Sequence, residues 1–383
     1  MTEGSAAMSS PPDERVQSLA WPQRLLGRPE AASVSGAVVV FVVFGFAAGD
    51  AGMFSAEGII NWATVAAFIG ILATGAALLM IGGEFDLSIG SMIGFAGMGL
   101  AIPILYWGWP PWLACLFMFG MCIAIGAFNG YLVIRTGLPS FIVTLAFYYI
   151  LRGLTLALST LFTGKTIISA NGPLILRDLF EADWVMQALF EGYLLTGLFD
   201  SLAAWGWIDA RDGGGALAIG LPKVVAWWLG LASIGAFVLA RTRFGNAVLA
   251  AGGHATAAKN MGIPVARVKL ILFMIMAFCS ALFAVLQVAD AGSAAADRGL
   301  QKEFEAIIAA VIGGCLLTGG FGSVIGAAFG ALIFGVVQIG IGYTSIDNNW
   351  YRVFLGIMLL LAVVFNSLVR RRVAVARHKR SRP

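Results

Sequence analysis

IINWATVAAFIGILATGAALLMI, from Ile59 to Ile81, contains no charged side chain. It is followed at once by Gly82-Gly83-Glu84-Phe85-Asp86-Leu87-Ser88-Ile89-Gly90-Ser91. An uncharged apolar run of this length matches the roughly 20 residues a helix needs to cross a bilayer. Similar runs occur at Val34–Gly49, Ile89–Leu105, Trp112–Ile134, Phe141–Phe162, Val224–Ala240, Leu270–Ala289, Phe304–Leu317, Ser323–Gly342 and Val353–Val369. The sequence therefore predicts an all-α, polytopic integral membrane protein of about ten transmembrane helices. The runs starting at Val34, Ile89 and Phe304 are short or interrupted by glycine, so broken or half-spanning helices are expected there.

Composition supports membrane residence. Of the 383 residues, 60% are hydrophobic and 11% charged, against about 25% charged in soluble domains, and the mean hydropathy is +0.90. The net charge of +4 and pI near 9.0 do not point to nucleic acid, because the basic residues sit in short loops and at the C-terminus. Their distribution predicts orientation instead. Arg15, Arg24, Arg28, Arg135, Arg241, Arg243, Lys259, Arg267, Lys269 and the Arg370–Arg382 cluster all fall inside when ten spans start from a cytoplasmic N-terminus. Cys115, Cys122, Cys279 and Cys315 lie within apolar runs without CxxC spacing, and read as small buried hydrophobes.

The resulting domain plan has a flexible cytoplasmic tail over 1–33 with no cleavable signal peptide, a membrane domain over 34–369 and a basic cytoplasmic tail over 370–383. Residues 163–222 form an excursion that is acidic on balance. Within it Trp184–Ile208 is long enough to span but carries Glu191 and Asp200. A crossing there would put the basic 241–269 loop outside, so an external amphipathic helix at the membrane surface is expected. A weak internal repeat is also visible: Ile81-Gly82-Gly83 before Gly90-Ser91-Met92-Ile93-Gly94, and Ile312-Gly313-Gly314 before Gly322-Ser323-Val324-Ile325-Gly326.

Three segments carry polar groups that call for a function. Glu84, Asp86 and Ser88 either line a polar pathway or form a solvated turn in which Asp86 or Ser88 caps the next helix. Asn129 and Thr144 either face that pathway or join helices by hydrogen bonds. Arg152, inside a span, needs an anion or water, and Glu84 and Asp86 are conceivable mates. In the 241–269 loop, Gly245, Ala250, Gly252, His254, Ala257, Ala258, Lys259, Gly262 and Pro264 read as a short alanine-rich helix stopped by Gly262 and Pro264. It serves either for docking on a partner or as a solvated connector.

The Gly82–Ser91 run, the Asn129–Thr155 run containing Pro139-Ser140-Phe141-Ile142-Val143-Thr144-Leu145, the Gly245–Pro264 loop and the Glu303–Gly322 stretch together resemble the branched-chain/ribose-type permeases of ABC importers. The long 163–222 insert resembles the xylose-type members. The resemblance implies a homodimeric permease for a pentose- or hexose-like sugar, served by a periplasmic sugar-binding protein and a separate ABC ATPase. It further implies that the 241–269 loop docks on that ATPase, with Gly252 at the family's characteristic glycine. The chain has no phosphate-binding Gly-x-x-x-x-Gly-Lys-[Ser/Thr] loop of its own, and no cofactor, metal site or catalytic residue is expected. The rival class, an ion- or proton-coupled secondary transporter, needs intramembrane carboxylates, for which Glu84, Asp86 and Glu305 qualify. Two histidines without metal spacing argue against a membrane enzyme.

Overall fold

The computed structural model describes residues 29–168, 176–211 and 215–364, apart from 345 and 348. The basic C-terminal tail and nearly all of the N-terminal tail lie outside these. The N-terminal boundary moves: α1 is already formed at Pro29 and runs Pro29–Ala48. Ser323 donates a hydrogen bond of 2.7 Å to Glu30 in its first turn.

The elements that follow are α2 (Ala56–Ile81), α3 (Ile89–Tyr106), α4 (Pro111–Thr136), α5 (Ser140–Thr163), β1 (Ile167–Ile168), α6 (Leu176–Ala182), α7 (Trp184–Leu189) and β2 (Tyr193–Leu194). After them come α8 (Thr196–Ala204), β3 (Leu221–Pro222), α9 (Lys223–Arg241), α10 (Arg243–Gly253), α11 (Ala255–Asn260), α12 (Val265–Ala291), β4 (Ala294–Ala295), α13 (Lys302–Ile312) and α14 (Val324–Gly342). A last apolar helix, α15, occupies Trp350–Val364.

Each of the ten apolar runs contains a helix, which in the Phe304–Leu317 run ends at Ile312. Seven helices, α2, α3, α4, α5, α9, α12 and α14, are long and apolar enough to cross a membrane, whereas α1 and α15 offer shorter apolar stretches. Helix α13 has 11 residues, a length of about 16 Å at 1.5 Å per residue, so the run at Phe304 is the half-span the sequence predicts. The run at Ile89 is not broken, because Pro103 sits in the last turn of α3 and leaves the helix intact.

Burial divides the spans into a centre and a rim. The apolar windows of α2, α3, α12 and α14 are 83%, 78%, 72% and 67% buried, against 28%, 22% and 28% for α4, α5 and α9. Phe46, Leu161 and Phe237 on the outer helices are largely exposed. Such a surface suits hydrocarbon or a second membrane subunit, and a helix satisfies its own backbone there.

The two predicted repeat turns have the same backbone geometry. Gly83 N–H donates to the Met80 carbonyl and Glu84 N–H to Leu79 (2.9 and 3.1 Å); Gly314 donates to Val311 and Cys315 to Ala310 (2.9 and 3.0 Å). Gly83 (φ 83°) and Gly314 (φ 90°) adopt the left-handed conformation these helix ends require. Both turns lie at the same end of the bundle, where Gly320 N–H donates to the Ile81 carbonyl at 2.8 Å.

The 163–222 excursion departs from expectation. Trp184–Ile208 is not one amphipathic helix but α7 and α8 separated by β2, with left-handed Gly192 and Leu195 interrupting the chain. Strand β2 pairs with β3 at the start of α9, and β1 pairs with β4 beyond α12. The β2–β3 hairpin and the long-range β1–β4 ladder tie the excursion to the end of the bundle opposite the repeat turns.

Candidate functional site

Five of the six pathway candidates come together near the end of the bundle that carries the repeat turns. Asp86 Oδ1 accepts from the Ser88 N–H (2.8 Å) and hydroxyl (2.6 Å), and Ser88 Oγ accepts from the Asn129 amide (3.2 Å). Phe85 N–H donates to Ser140 Oγ and Leu87 N–H to Thr144 Oγ1, each at 3.0 Å. The turn between α2 and α3 thereby exchanges its backbone hydrogen bonds with side chains of α5, as polar backbone at membrane depth requires.

Asp86, Ser88, Asn129 and Thr144 are all buried. Asp86, Ser88 and Asn129 are linked by side-chain hydrogen bonds, while Asn129 Oδ1 is left without a partner among the described residues. Ser88 is not a helix cap of the ordinary kind, since its side chain accepts no bond from the first turn of α3. Asp86 instead closes a local turn onto Ser88. Glu84, also buried, forms an ion pair with Lys269 in the first turn of α12.

Arg152 stands apart from this cluster. Its guanidinium donates to the Ala296 carbonyl at 2.7 Å, not to Glu84 or Asp86, and ties α5 to the segment that follows β4. Two residues outside the predicted set belong with the cluster: Lys269 and Glu303. Glu303 is 3% exposed, and its Oε2 lacks a hydrogen-bond partner among the described residues. Both sit at the edges of apolar runs, where a charged residue reads simply as a boundary.

The 241–269 loop folds as two helices rather than one. Thr242 caps α10 by accepting from Gly245 N–H at 3.1 Å, and His254 Nδ1 caps α11 by accepting from Ala257 N–H at 3.2 Å. The extended backbone of His254 (φ −156°, ψ 90°) separates the two helices. Gly262 (φ 84°) ends α11, and Pro264 precedes α12.

Gly252 faces inward. A Cβ on it would stand 1.8 Å from the Ile81 carbonyl oxygen and 2.7 Å from Gly320 N. Its small size therefore serves contact with both repeat turns of the same chain. Ala258 is also buried, whereas His254, Ala257 and Lys259 are exposed. Met261, 83% exposed, is a large apolar side chain beside them that the alanine and glycine pattern did not single out.

All four cysteines are free and buried, as expected for packing residues. Among the described residues no group of three or more His, Cys, Asp and Glu side chains is arranged to hold a metal.

Residues 58–363 match the family model described as branched-chain amino acid transport system / permease component. The inner membrane ABC transporter permease protein YjfF of Escherichia coli is 33% identical over 82% of this chain and 84% of its own. The xylose transport system permease protein XylH of Escherichia coli is 31% identical over 88% of this chain and 91% of its own. The fructose import permease protein FrcC of Rhizobium meliloti is 28% identical over 80% and 76%. No solved structure matches the chain.

Proposed function

Because the chain belongs to the branched-chain-type permease family of ABC transporters, we propose that it forms the translocation pathway for a pentose- or hexose-like monosaccharide. It is a multi-pass inner-membrane permease and not an enzyme. The observation that carries the sugar reading is coverage: the xylose permease aligns with 88% of this chain. Ion-coupled transport is not favoured. The relatives are ABC permeases, and the three carboxylates the sequence offers for ion coupling are occupied: Glu84 by Lys269, Glu305 by Lys302 and Asp86 by Ser88.

In this reading a separate ATPase supplies the energy, a periplasmic binding protein delivers the sugar, and a second copy of the chain completes the pathway within the lipid. The excursion faces outward and both termini lie in the cytoplasm. Arg135, Arg241, Arg243, Lys259, Arg267 and Lys269 occupy or follow helix ends opposite the excursion, which is the positive-inside pattern.

The exposed face of α10 and α11, with His254, Ala257, Lys259 and Met261, docks on the ATPase. Its buried face, with Gly252, rests on the two repeat turns. One element is then biased from both sides, as coupling between two sites requires. Glu84, Asp86, Ser88, Asn129 and Thr144 form the inner gate that the docking element acts upon, and Arg152 braces α5.

The test is ATP-dependent uptake of D-xylose, D-ribose and D-fructose into proteoliposomes containing the permease, its ATPase and its binding protein. Uptake that survives an uncoupler at constant ATP is the expected result. Abolition by the uncoupler returns the chain to the ion-coupled class.

A further inference from the structure

At the excursion end of the bundle, α2, α12, α14 and the β2–β3 hairpin line an open, solvent-facing cleft of about 530 Å³. Small-molecule sites commonly occupy roughly 300–1,000 Å³. Asn61 and Thr64 enter it from α2, Asp290 from the last turn of α12, Tyr343 from the end of α14, and Tyr193 and Pro222 from the hairpin. The Thr64 hydroxyl is used within its own helix, donating to the Ile60 carbonyl at 2.7 Å. The Asn61 amide, the Asp290 carboxylate and the hydroxyls of Tyr193 and Tyr343 have no hydrogen-bond partner among the described residues.

This set matches a neutral polyhydroxylated ring better than an ion. A carboxylate accepts hydrogen bonds from adjacent hydroxyls, while an amide and two phenols both donate and accept. A tyrosine ring also offers a flat apolar surface to the C–H face of a sugar. Arg177 and Arg298 lie within electrostatic reach of Asp290 and partly offset its charge, with Arg177 shared with Glu181 and Glu191.

We propose that this cleft is an entry subsite that holds a monosaccharide on its way into the permease, with Asp290 and Asn61 binding hydroxyls and Tyr193 forming one wall. The proposal rests on the sugar-permease reading and on the outward orientation of the excursion. It also gives the 163–222 insert a task, since the hairpin it builds forms one side of the cleft. A transit site must bind weakly enough to release, so a dissociation constant on the order of 1 mM or above is expected.

The full-length permease in lipid nanodiscs, probed with D-xylose by saturation-transfer difference NMR, tests this directly. Transfer to the sugar is expected in the wild type and should fall at least fivefold in Asp290→Asn, in Asn61→Leu and in Tyr193→Ala, with Tyr193→Phe keeping most of it. In proteoliposomes with the ATPase and binding protein, the same variants should take up D-xylose at least fivefold more slowly while the binding protein still stimulates ATP hydrolysis. Variants are compared only if they elute as monodisperse protein, and failure of one leaves the others to decide. Absent transfer, or transfer unchanged in all variants, in a permease whose wild-type complex imports D-xylose overturns the subsite and leaves the permease reading standing. A complex that imports none of D-xylose, D-ribose and D-fructose overturns both.

Discussion

Lys269, in the first turn of α12, is ion-paired with Glu84, the residue that follows the glycine turn of α2. The pair joins two chain segments that each touch the α10–α11 element: Gly83 approaches Gly252, and α12, which carries Lys269, packs against α10. Removing one partner of a buried pair leaves the other charge unpaired at a cost of about 3 kcal/mol, whereas removing both is often close to neutral. Lys269→Met should therefore lower the thermal midpoint of the purified permease, and Lys269→Met with Glu84→Gln should recover most of the loss. Equal destabilisation in the single and double variants would rule out the pair as the cause.

Asp86 accepts two short hydrogen bonds from Ser88, and an asparagine in its place retains an acceptor oxygen while losing the charge. Asp86→Asn should insert and purify like the wild type yet slow sugar uptake at least tenfold, if the charge matters for opening the inner gate. Initial uptake rates normalised to permease content measure this. Wild-type uptake would reduce Asp86 to a turn-forming residue.

Glu191, in the excursion between α7 and β2, is 7% exposed. Burial pushes its carboxyl up from 4.5 to about 7, reinforced by Glu181 and opposed by Arg177 and Lys223. Arg177 Nε lies 3.4 Å away without a directed hydrogen bond. A raised carboxyl binds more protons in the folded state than in the unfolded one, so stability falls as pH rises from about 4.5 to about 7 and levels off above that. Protection factors for hydrogen exchange across 176–194, each taken against the intrinsic rate at the same pH, should accordingly fall over that window. Glu191→Gln should remove the pH dependence, and a profile unchanged by the substitution would assign it to other groups.

Orientation yields to labelling. Asp209 is exposed in the excursion, and the four native cysteines are buried, so background labelling should be low. Asp209→Cys should react with a membrane-impermeant maleimide in cells whose inner membrane is intact. Reaction only after permeabilisation would invert the topology.

The spans are legible in the sequence because each is a long apolar run with glycine, proline or charge at its ends. The half-helix α13 is legible because its run is short. The excursion and the 241–269 loop are misread in the same way, as single helices. In the 241–269 loop the single extended residue His254 divides the segment, and in the excursion the stretch from Phe190 to Leu195 does so, with left-handed Gly192 and Leu195; neither His254 nor Leu195 is a residue type that announces such a break. Asp86, Ser88, Asn129 and Thr144 stand out as polar groups in apolar surroundings. That Asn129 bonds to Ser88, and Thr144 to the Leu87 backbone between Asp86 and Ser88, is a tertiary fact with sequence separations of 41 and 57. Lys269 and Glu303 escape notice because a charge at the edge of an apolar run looks like the end of a helix whether or not it is buried.

The proposed docking element α10–α11 separates two roles that its small residues share in the sequence. Gly252 is packed on its own chain, with no space for a Cβ beside Ile81 and Gly320, whereas Ala257 projects from α11 next to exposed His254 and Lys259. Gly252→Ala should therefore disturb the fold itself: the backbone of α10 or of the α2 turn must shift, and overpacking of this kind costs about 1–3 kcal/mol. Its expected signature is a lower thermal midpoint in the isolated permease, before any ATPase is added. Ala257→Trp has open space around it within the chain, so the isolated permease should keep the wild-type midpoint. The bulky ring should instead obstruct a partner that seats on α11, leaving ATP hydrolysis in the assembled complex poorly stimulated by sugar-loaded binding protein and uptake at least tenfold slower. Both variants are measured in the same two assays, so the outcomes cross-check. If Ala257→Trp transports at the wild-type rate with normal ATPase stimulation, α11 is a connector and the docking surface lies elsewhere; if Gly252→Ala leaves the midpoint unchanged, the contact between α10 and the repeat turns is looser than its geometry indicates.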